Sequence, residues 1–355
     1  MANHLRSASI LDLKLALTCT ILSPSTKGVK WIIHYLHRLL DANRAFALNG
    51  RGTTNHCPMA LHALHEMGAS SRQLQHFFDH WQATHALPSG EIGQGEDEIS
   101  FVRLRQQLTT RLATEGWQPT FETLLARRLS PAVGAFHPLI RFACALENGH
   151  VGEQAAALAA WQCRSLILPA GEAAPSRDVA SLLAGVSEQW EGASWQGEWI
   201  TERLQKVAEA PRWPGTLPRS LVESSAVLAQ LADIALKLYW QTGNFTVLHM
   251  VTGSRAAILV EQQLPGEWQA PWQTLMWQAV AAAYITVGAP ALRSQRWPDT
   301  TGLDWERVLP RALASLDDHV IKLVHCCWRE RETSPRYLAV AARAVGLLDA
   351  SSGKA

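Results

Sequence analysis

NFTVLHMVTGSRAAILVEQQ, residues 244–263, decides the class of fold. Its apolar positions recur at three- and four-residue intervals, the period of an α-helix, and Asn244 stands where an N-cap side chain accepts a free amide. The same period recurs over 29–41, 58–67, 71–84, 101–115, 139–146, 153–163, 178–188, 199–208, 221–241, 271–287, 303–314, 318–332 and 336–348. Gly68 and Gly149 stand where helices end, and Ser70 and Ser71 where one begins. Strand-like alternation is scarce, so the expected fold is all-α. Four stretches break the pattern: 88–98, 171–175, 211–218 and 288–301. They read as connecting loops, the first of them a mobile one. No solenoid repeat, G-x-G-x-x-G or P-loop occurs.

Composition excludes some functions. The 355 residues carry 32 basic and 31 acidic side chains, a formal charge of +1, which offers no basic excess for nucleic acid. With 47% hydrophobic residues the chain can supply a large core. Its 15 tryptophans read first as fillers between long helices. Six cysteines (Cys19, Cys57, Cys144, Cys163, Cys326, Cys327) form no C-x-x-C pair and suggest buried thiols in a reducing compartment. The apolar stretch 10–22 contains Asp12 and Lys14 and is too short to span a bilayer. The expected location is cytoplasmic.

Fourteen histidines are present, and four share a context near a helix start on an apolar background: His56 (TNHCPMAL), His137 (AFHPLIRFA), His249 (NFTVLHMVT) and His319 (LDDHVIKLV). Pro58 and Pro138 suit a first helical turn. This puts His137 at or just before an N-cap, and His56 in a first turn after Asn55. His249 falls in the second turn after Asn244, and His319 in the first turn after Asp317 and Asp318. The positive end of a helix dipole disfavours imidazolium, and neutral imidazole is the form that binds metal. Against this stands the ordinary core histidine bonded to a carbonyl. The four also lack local ligand spacing, and H-E-x-x-H is absent.

His319 and Lys322 are three apart and share a helix face. Lys322 lies in V-I-K-L-V, where it either reaches outward or is buried with a depressed pKa; composition favours the first. A buried neutral lysine can react with carbon dioxide to give a carbamate, an oxygen ligand. The other histidines carry less: His62, His65, His76, His80 and His85 lie on or just after two polar-faced helices. His325 lies about 120° around the helix from His319 and faces elsewhere.

Four blocks in order resemble the questin oxidase-like family: TNHCPMALHALHEMGAS with QLQHFFDHW, then AFHPLIRFACALE, TGNFTVLHMVT and DDHVIKLVHC. The resemblance runs from about residue 39 to 348, and the first 35 or so residues match nothing in it. It implies oxidative tailoring of anthraquinones and related polyketides by ring opening. That chemistry is either Baeyer–Villiger-like with NADPH or iron-dependent C–C cleavage by dioxygen. Carried onto this sequence, the implied metal ligands are His56, His137, His249, His319 and a carboxylated Lys322. After His249 the chain reads T-G-S-R-A-A, where the family leads one to expect a further polar or histidine position.

The resulting expectation is a single large multi-helix domain over 39–350 with a central metal and substrate cavity. An N-terminal segment of 1–38 and a disordered tail of 351–355 flank it. Four imidazoles and one carbamate oxygen would leave an octahedral Fe(II), or another divalent metal, one position for dioxygen or a substrate oxygen. Asp318 is expected to orient a ligand or relay a proton, and with Lys322 makes the catalytic pair. Phe136, Tyr239, Trp240, Thr252, Trp277 and Tyr284 are candidates to line a pocket for a hydrophobic substrate. No nucleic acid and no membrane span are expected, and the oligomeric state is open. Two alternatives remain: a terpene-synthase-like enzyme, for which D-D-x-x-D is missing after Asp317-Asp318, and a non-enzymatic helical ligand-binding protein.

Overall fold

Local signals start and stop the helices where the sequence places them. Ser70 accepts the Gln73 amide while Gln73 Oε1 accepts the Ser70 amide, a reciprocal cap that opens a helix at Ser71. Gly68 closes the preceding helix in the left-handed region (φ 91°), with the Ala69 amide reaching back to Leu64. Gly149 does the same at φ 71°. Asn244 Oδ1 accepts the Thr246 amide at 2.8 Å.

A computed structural model describes residues 26–43, 55–85, 96–169, 171, 179–216, 226–294 and 296–349. Among these residues there are sixteen α-helices and no strand; one isolated bridge joins Leu129 to Ile167. The helices are α1 (Thr26–Asn43), α2 (Cys57–Glu66), α3 (Ser71–Thr84), α4 (Glu96–Glu115), α5 (Gln118–Ala126), α6 (His137–Asn148), α7 (Val151–Cys163) and α8 (Val179–Trp190). They continue as α9 (Ile200–Glu209), α10 (Trp213–Thr216), α11 (Val227–Thr242), α12 (Phe245–Glu261), α13 (Gly266–Thr286), α14 (Trp305–Leu313), α15 (Asp318–Arg329) and α16 (Arg336–Ala344). No helix among them is long and apolar enough to cross a membrane.

Several expectations need correction. α4 starts at Glu96, inside the stretch expected to be a loop, most of which lies outside the described residues, as do 172–175, 217–218 and the tail. α5 is a helix that the periodicity does not show, and α10 is a helical turn inside an expected break. Pro271 does not open its helix: α13 begins five residues earlier and runs through it. A proline removes only one backbone bond there, and the helix beyond it is buried continuously from Trp272 to Thr286. α2 is not polar-faced: every residue from Cys57 to Leu64 is buried, His62 included.

The arrangement that matters is a closed ring. α2 packs on α6, α6 on α12, α12 on α15, and α15 back on α2. α7 and α13 cover the ring from outside, and tryptophans fill the joints. Trp161 and Trp272 donate to the Ser130 and Ala257 carbonyls, so each of these buried indole N–H groups is satisfied.

α6 is tied to α7 by Arg141, whose Nε donates to Glu153 Oε2 at 2.6 Å with both side chains buried. Removing one partner would strand a buried charge. Glu153→Ala is expected to destabilise the protein by about 3–5 kcal/mol in urea denaturation, the range for a broken buried pair. A cost below about 1 kcal/mol would show the pair to be dispensable.

Candidate metal centre

Each helix of the ring begins near a histidine. Asn55 Oδ1 accepts the Cys57 amide at 2.9 Å, and His56 stands at the N-cap position of α2 with its side chain making no capping bond. Asp317 accepts the His319 and Val320 amides at the start of α15. His249 lies one turn into α12. His137 opens α6 after an unusual approach: Gly134, Ala135 and Phe136 all have positive φ (56°, 57° and 65°). For residues with a Cβ this conformation costs roughly 1–2 kcal/mol each. It is held by packing, because the Phe136 ring lies against Gly253 on α12. It also carries the Gly134 carbonyl back to His137 Nδ1 at 2.6 Å.

The four rings form one cluster. His56 stacks on His137 with centroids 4.2 Å apart, and His137 meets His249 edge-on at 4.6 Å. His319 lies 5.1 Å from His56 and 5.2 Å from His249. All four Nδ1 atoms face acceptors: His56 meets Asp318 Oδ2 at 2.9 Å, His137 the Gly134 carbonyl, His249 the Phe245 carbonyl at 2.8 Å, and His319 faces Asp318 Oδ2 at 3.4 Å. A carbonyl or carboxylate only accepts, so each Nδ1 carries the proton and each Nε2 the lone pair. His137 and His249 bring these lone pairs to within 3.1 Å. Two nitrogens about 2.1 Å from one metal and at right angles lie about 3 Å apart, so this pair fits adjacent ligand positions. His319 Nε2 is buried without a hydrogen-bond partner. One ring nitrogen each of His56, His137 and His319 lies within 4.8 Å of the others.

Electrostatics keep the rings neutral. Burial, followed by the Lys322 ammonium, lowers His56 to about 3. Burial and neighbouring histidines hold His137 and His249 well below the ordinary value, and burial and Lys322 lower His319. Asp318 is the counterweight. Burial would raise its carboxyl, but the Lys322 ammonium and hydrogen bonds from His319 and His56 hold it below the usual carboxylate range. It remains an acceptor, which orients His56 and His319.

Lys322 does not reach outward, as composition alone favours. It is buried, with Nζ 2.8 Å from Asp318 Oδ2, because α15 turns this face into the ring and supplies the anion one turn earlier. Among the expected pocket residues, Phe136 abuts the segment that carries His137. Thr252 lines a cavity of about 40 Å³ shared with Lys322, too small for a polycyclic molecule. The others are engaged elsewhere. Arg343 covers Trp240 and bonds the Tyr239 and Trp240 carbonyls, Trp240 stacks on Trp297, Trp277 is buried in α13, and the Tyr284 hydroxyl donates to the Pro290 carbonyl.

Two features of the site have no counterpart among the sequence expectations. Phe245 is 52% exposed, yet its ring lies 4.7 Å from His249 and 4.6 Å from His319, an open apolar face on the cluster. At the other end of the ring, His62 Nε2 contacts Glu147 at 3.1 Å and His325 meets His62 edge-on, in keeping with the helical offset of His325 from His319. The Asn244 cap is a local signal that marks Phe245 as a first-turn residue beside His249; nothing local joins His62 to Glu147, 85 residues away.

A family model described as Questin oxidase-like matches residues 53–327 of the chain. No curated protein matches it.

Two outcomes are expected. A Cβ at residue 253 would meet the Phe136 ring at 2.8 Å. Gly253→Ala should therefore destabilise by about 1–2 kcal/mol net, overpacking outweighing the roughly 1 kcal/mol helix gain; a stabilised variant would contradict that packing. In the metal-free protein, His56, His137 and His249 bind protons on unfolding below 6.5 that they do not bind when folded. Their contribution is complete above the unfolded value and is lost as pH falls from there toward about 3 for His56. Urea denaturation at about pH 7.5 and about pH 5 should show the loss, up to ~1.4 kcal/mol per pH unit per histidine; equal stability at both would remove the buried neutral rings.

Proposed function

The chain belongs to the questin oxidase-like family, and from that premise we propose that it is a non-haem iron oxygenase. It opens or oxidises a ring of a hydrophobic, polycyclic aromatic or polyketide-like substrate with dioxygen. The observation that carries this reading is the set of four histidines whose Nδ1 atoms are all committed to acceptors, which turns four Nε2 lone pairs to ligation. His56, His137, His249 and His319 would hold the metal. Imidazole suits iron as well as zinc and copper, and the choice of iron follows the family. When bound, the metal supplies the one-electron chemistry that dioxygen needs to react with a closed-shell substrate.

The protein's own residues do the rest. Asp318 fixes two of the rings and offsets the positive charge at the centre. Four helix starts surround the cluster, and their partial positive charge favours an anionic substrate oxygen such as a phenolate. Phe245 presents an exposed apolar ring over His249 and His319, the side from which a planar hydrophobic molecule would approach. Lys322, as an ammonium, adds charge that opposes a cation. Its carboxylation by carbon dioxide would replace that charge with an anionic oxygen donor, and we include this modification in the proposal. The diphosphate chemistry of a terpene synthase finds less support, since Asp317-Asp318 is followed by His319, Val320 and Ile321 rather than by a further aspartate.

Protein produced with ample iron should carry about one iron per chain, and His249→Ala should lose it, measured by elemental analysis. An iron-free wild type, or a variant with unchanged content, would end the proposal. Oxygen uptake with a polycyclic hydroxyquinone then separates the two chemistries. Cleavage by dioxygen alone proceeds without NADPH, whereas a Baeyer–Villiger insertion needs two electrons from a reductant.

A further inference from the structure

Beyond the histidine layer the same four helices border a small, partly open cavity. Met59 from α2, Ile140 and Glu147 from α6, Thr252 from α12, and Lys322 and His325 from α15 surround a cavity of about 40 Å³. These positions follow the histidines at helical intervals: 56 and 59; 137 and 140; 249 and 252; 319, 322 and 325. One stripe on each of α2, α6 and α12 therefore lines both levels, while on α15 the face turns by about 120° from His319 to His325; Lys322 lies between them, with Nζ reaching Asp318 while the residue borders the cavity.

The lining is mostly apolar, but two of its residues, Lys322 and His325, carry buried nitrogens without a hydrogen-bond partner. Lys322 is 5% exposed, and its approach to Asp318 does not make a well-angled hydrogen bond. An ammonium has three N–H groups to satisfy. His325 Nε2 is shielded from solvent and has no hydrogen-bond partner. Leaving such atoms unpaired costs more than immobilising a water between them. A water needs about 10–15 Å³ of such space and at least two polar partners, so the cavity has room for about three. His62 meets the His325 ring at 5.5 Å and 90°, and Glu147 fixes His62 in turn, so His325 is held in place.

We propose that this chamber is a buried solvent site, with ordered water bonding both Lys322 Nζ and His325 Nε2, and that His325 is thereby a positioning residue for Lys322. The water site stands on the cavity and the two nitrogens alone. Its consequence for metal binding rests on the proposed function.

The test is a high-resolution crystal structure of the full chain without metal, with iron titrations alongside. The wild type should show at least one water within about 3.2 Å of both nitrogens. In His325→Leu that water should vanish and iron should bind about tenfold more weakly, the lower end for loss of a residue behind a ligand. His325→Gln, which keeps a polar end, should restore most of the affinity. If His325→Leu does not fold, Ala256→Leu, which fills the chamber from α12, must expel the water and weaken iron binding in its place. A dry chamber, or one that takes up xenon under pressure, overturns the solvent site. Water present with unchanged iron affinity in His325→Leu overturns the positioning role. A wild type that binds no iron removes the iron reading, while the water in the metal-free crystal still decides the solvent site.

Discussion

One carboxylate oxygen holds the centre of this protein together. Asp318 Oδ2 receives His56 Nδ1 at 2.9 Å, faces His319 Nδ1 at 3.4 Å and lies 2.8 Å from Lys322 Nζ. Four helix starts meet there, each contributing partial positive charge, together with a lysine. Without an anion, that point would repel both a cation and its own side chains. With it, burial and the lysine can push the imidazoles toward the neutral form while two of the rings stay oriented.

The rest of the architecture serves to bring those helix starts to one place. α2, α6, α12 and α15 are separated by long stretches of sequence, and their contacts close a ring rather than a row. Three consecutive left-handed residues, Gly134 to Phe136, turn the chain so that α6 begins at His137. Two of them have side chains, so the conformation is strained and needs outside support. Gly253 gives that support by leaving room for the Phe136 ring one turn beyond His249. The backbone strain at His137 and the missing side chain beside His249 are thus a single packing arrangement.

The same ring explains a polarity that runs along its axis. One end gathers the histidines and Asp318. The other gathers Glu147, which is bonded to His62 and to Arg329 at 2.9 Å, and Arg255, which pairs with Glu330. Between them the wall is mostly apolar, and Lys322 is the side chain that reaches both levels. A charged residue is tolerated at this depth because a carboxylate stands one helical turn before it on its own helix.

Much of this arrangement is legible in the order of the amino acids. Helical period, the Asn244 and Ser70 caps and the glycines after α2 and α6 are local signals, and they set the class of fold and most helix ends. The context of Pro58, Pro138, Asn244 and Asp317 places His56, His137, His249 and His319 at helix starts, because a cap is decided within one turn of chain. That the four starts coincide is a matter of packing between segments up to 262 residues apart, and no local pattern encodes it. Burial of Lys322 goes against its composition, since a lysine in an apolar run shows which face it occupies only when the neighbouring helices are known. The exposure of Phe245 and the pairing of His62 with Glu147 depend equally on which helices stand beside them. The sequence by itself determined that His56, His137, His249 and His319 lie near helix starts; tertiary packing alone decided that those four beginnings share one point, because the free energy that joins them comes from apolar surface buried between distant helices.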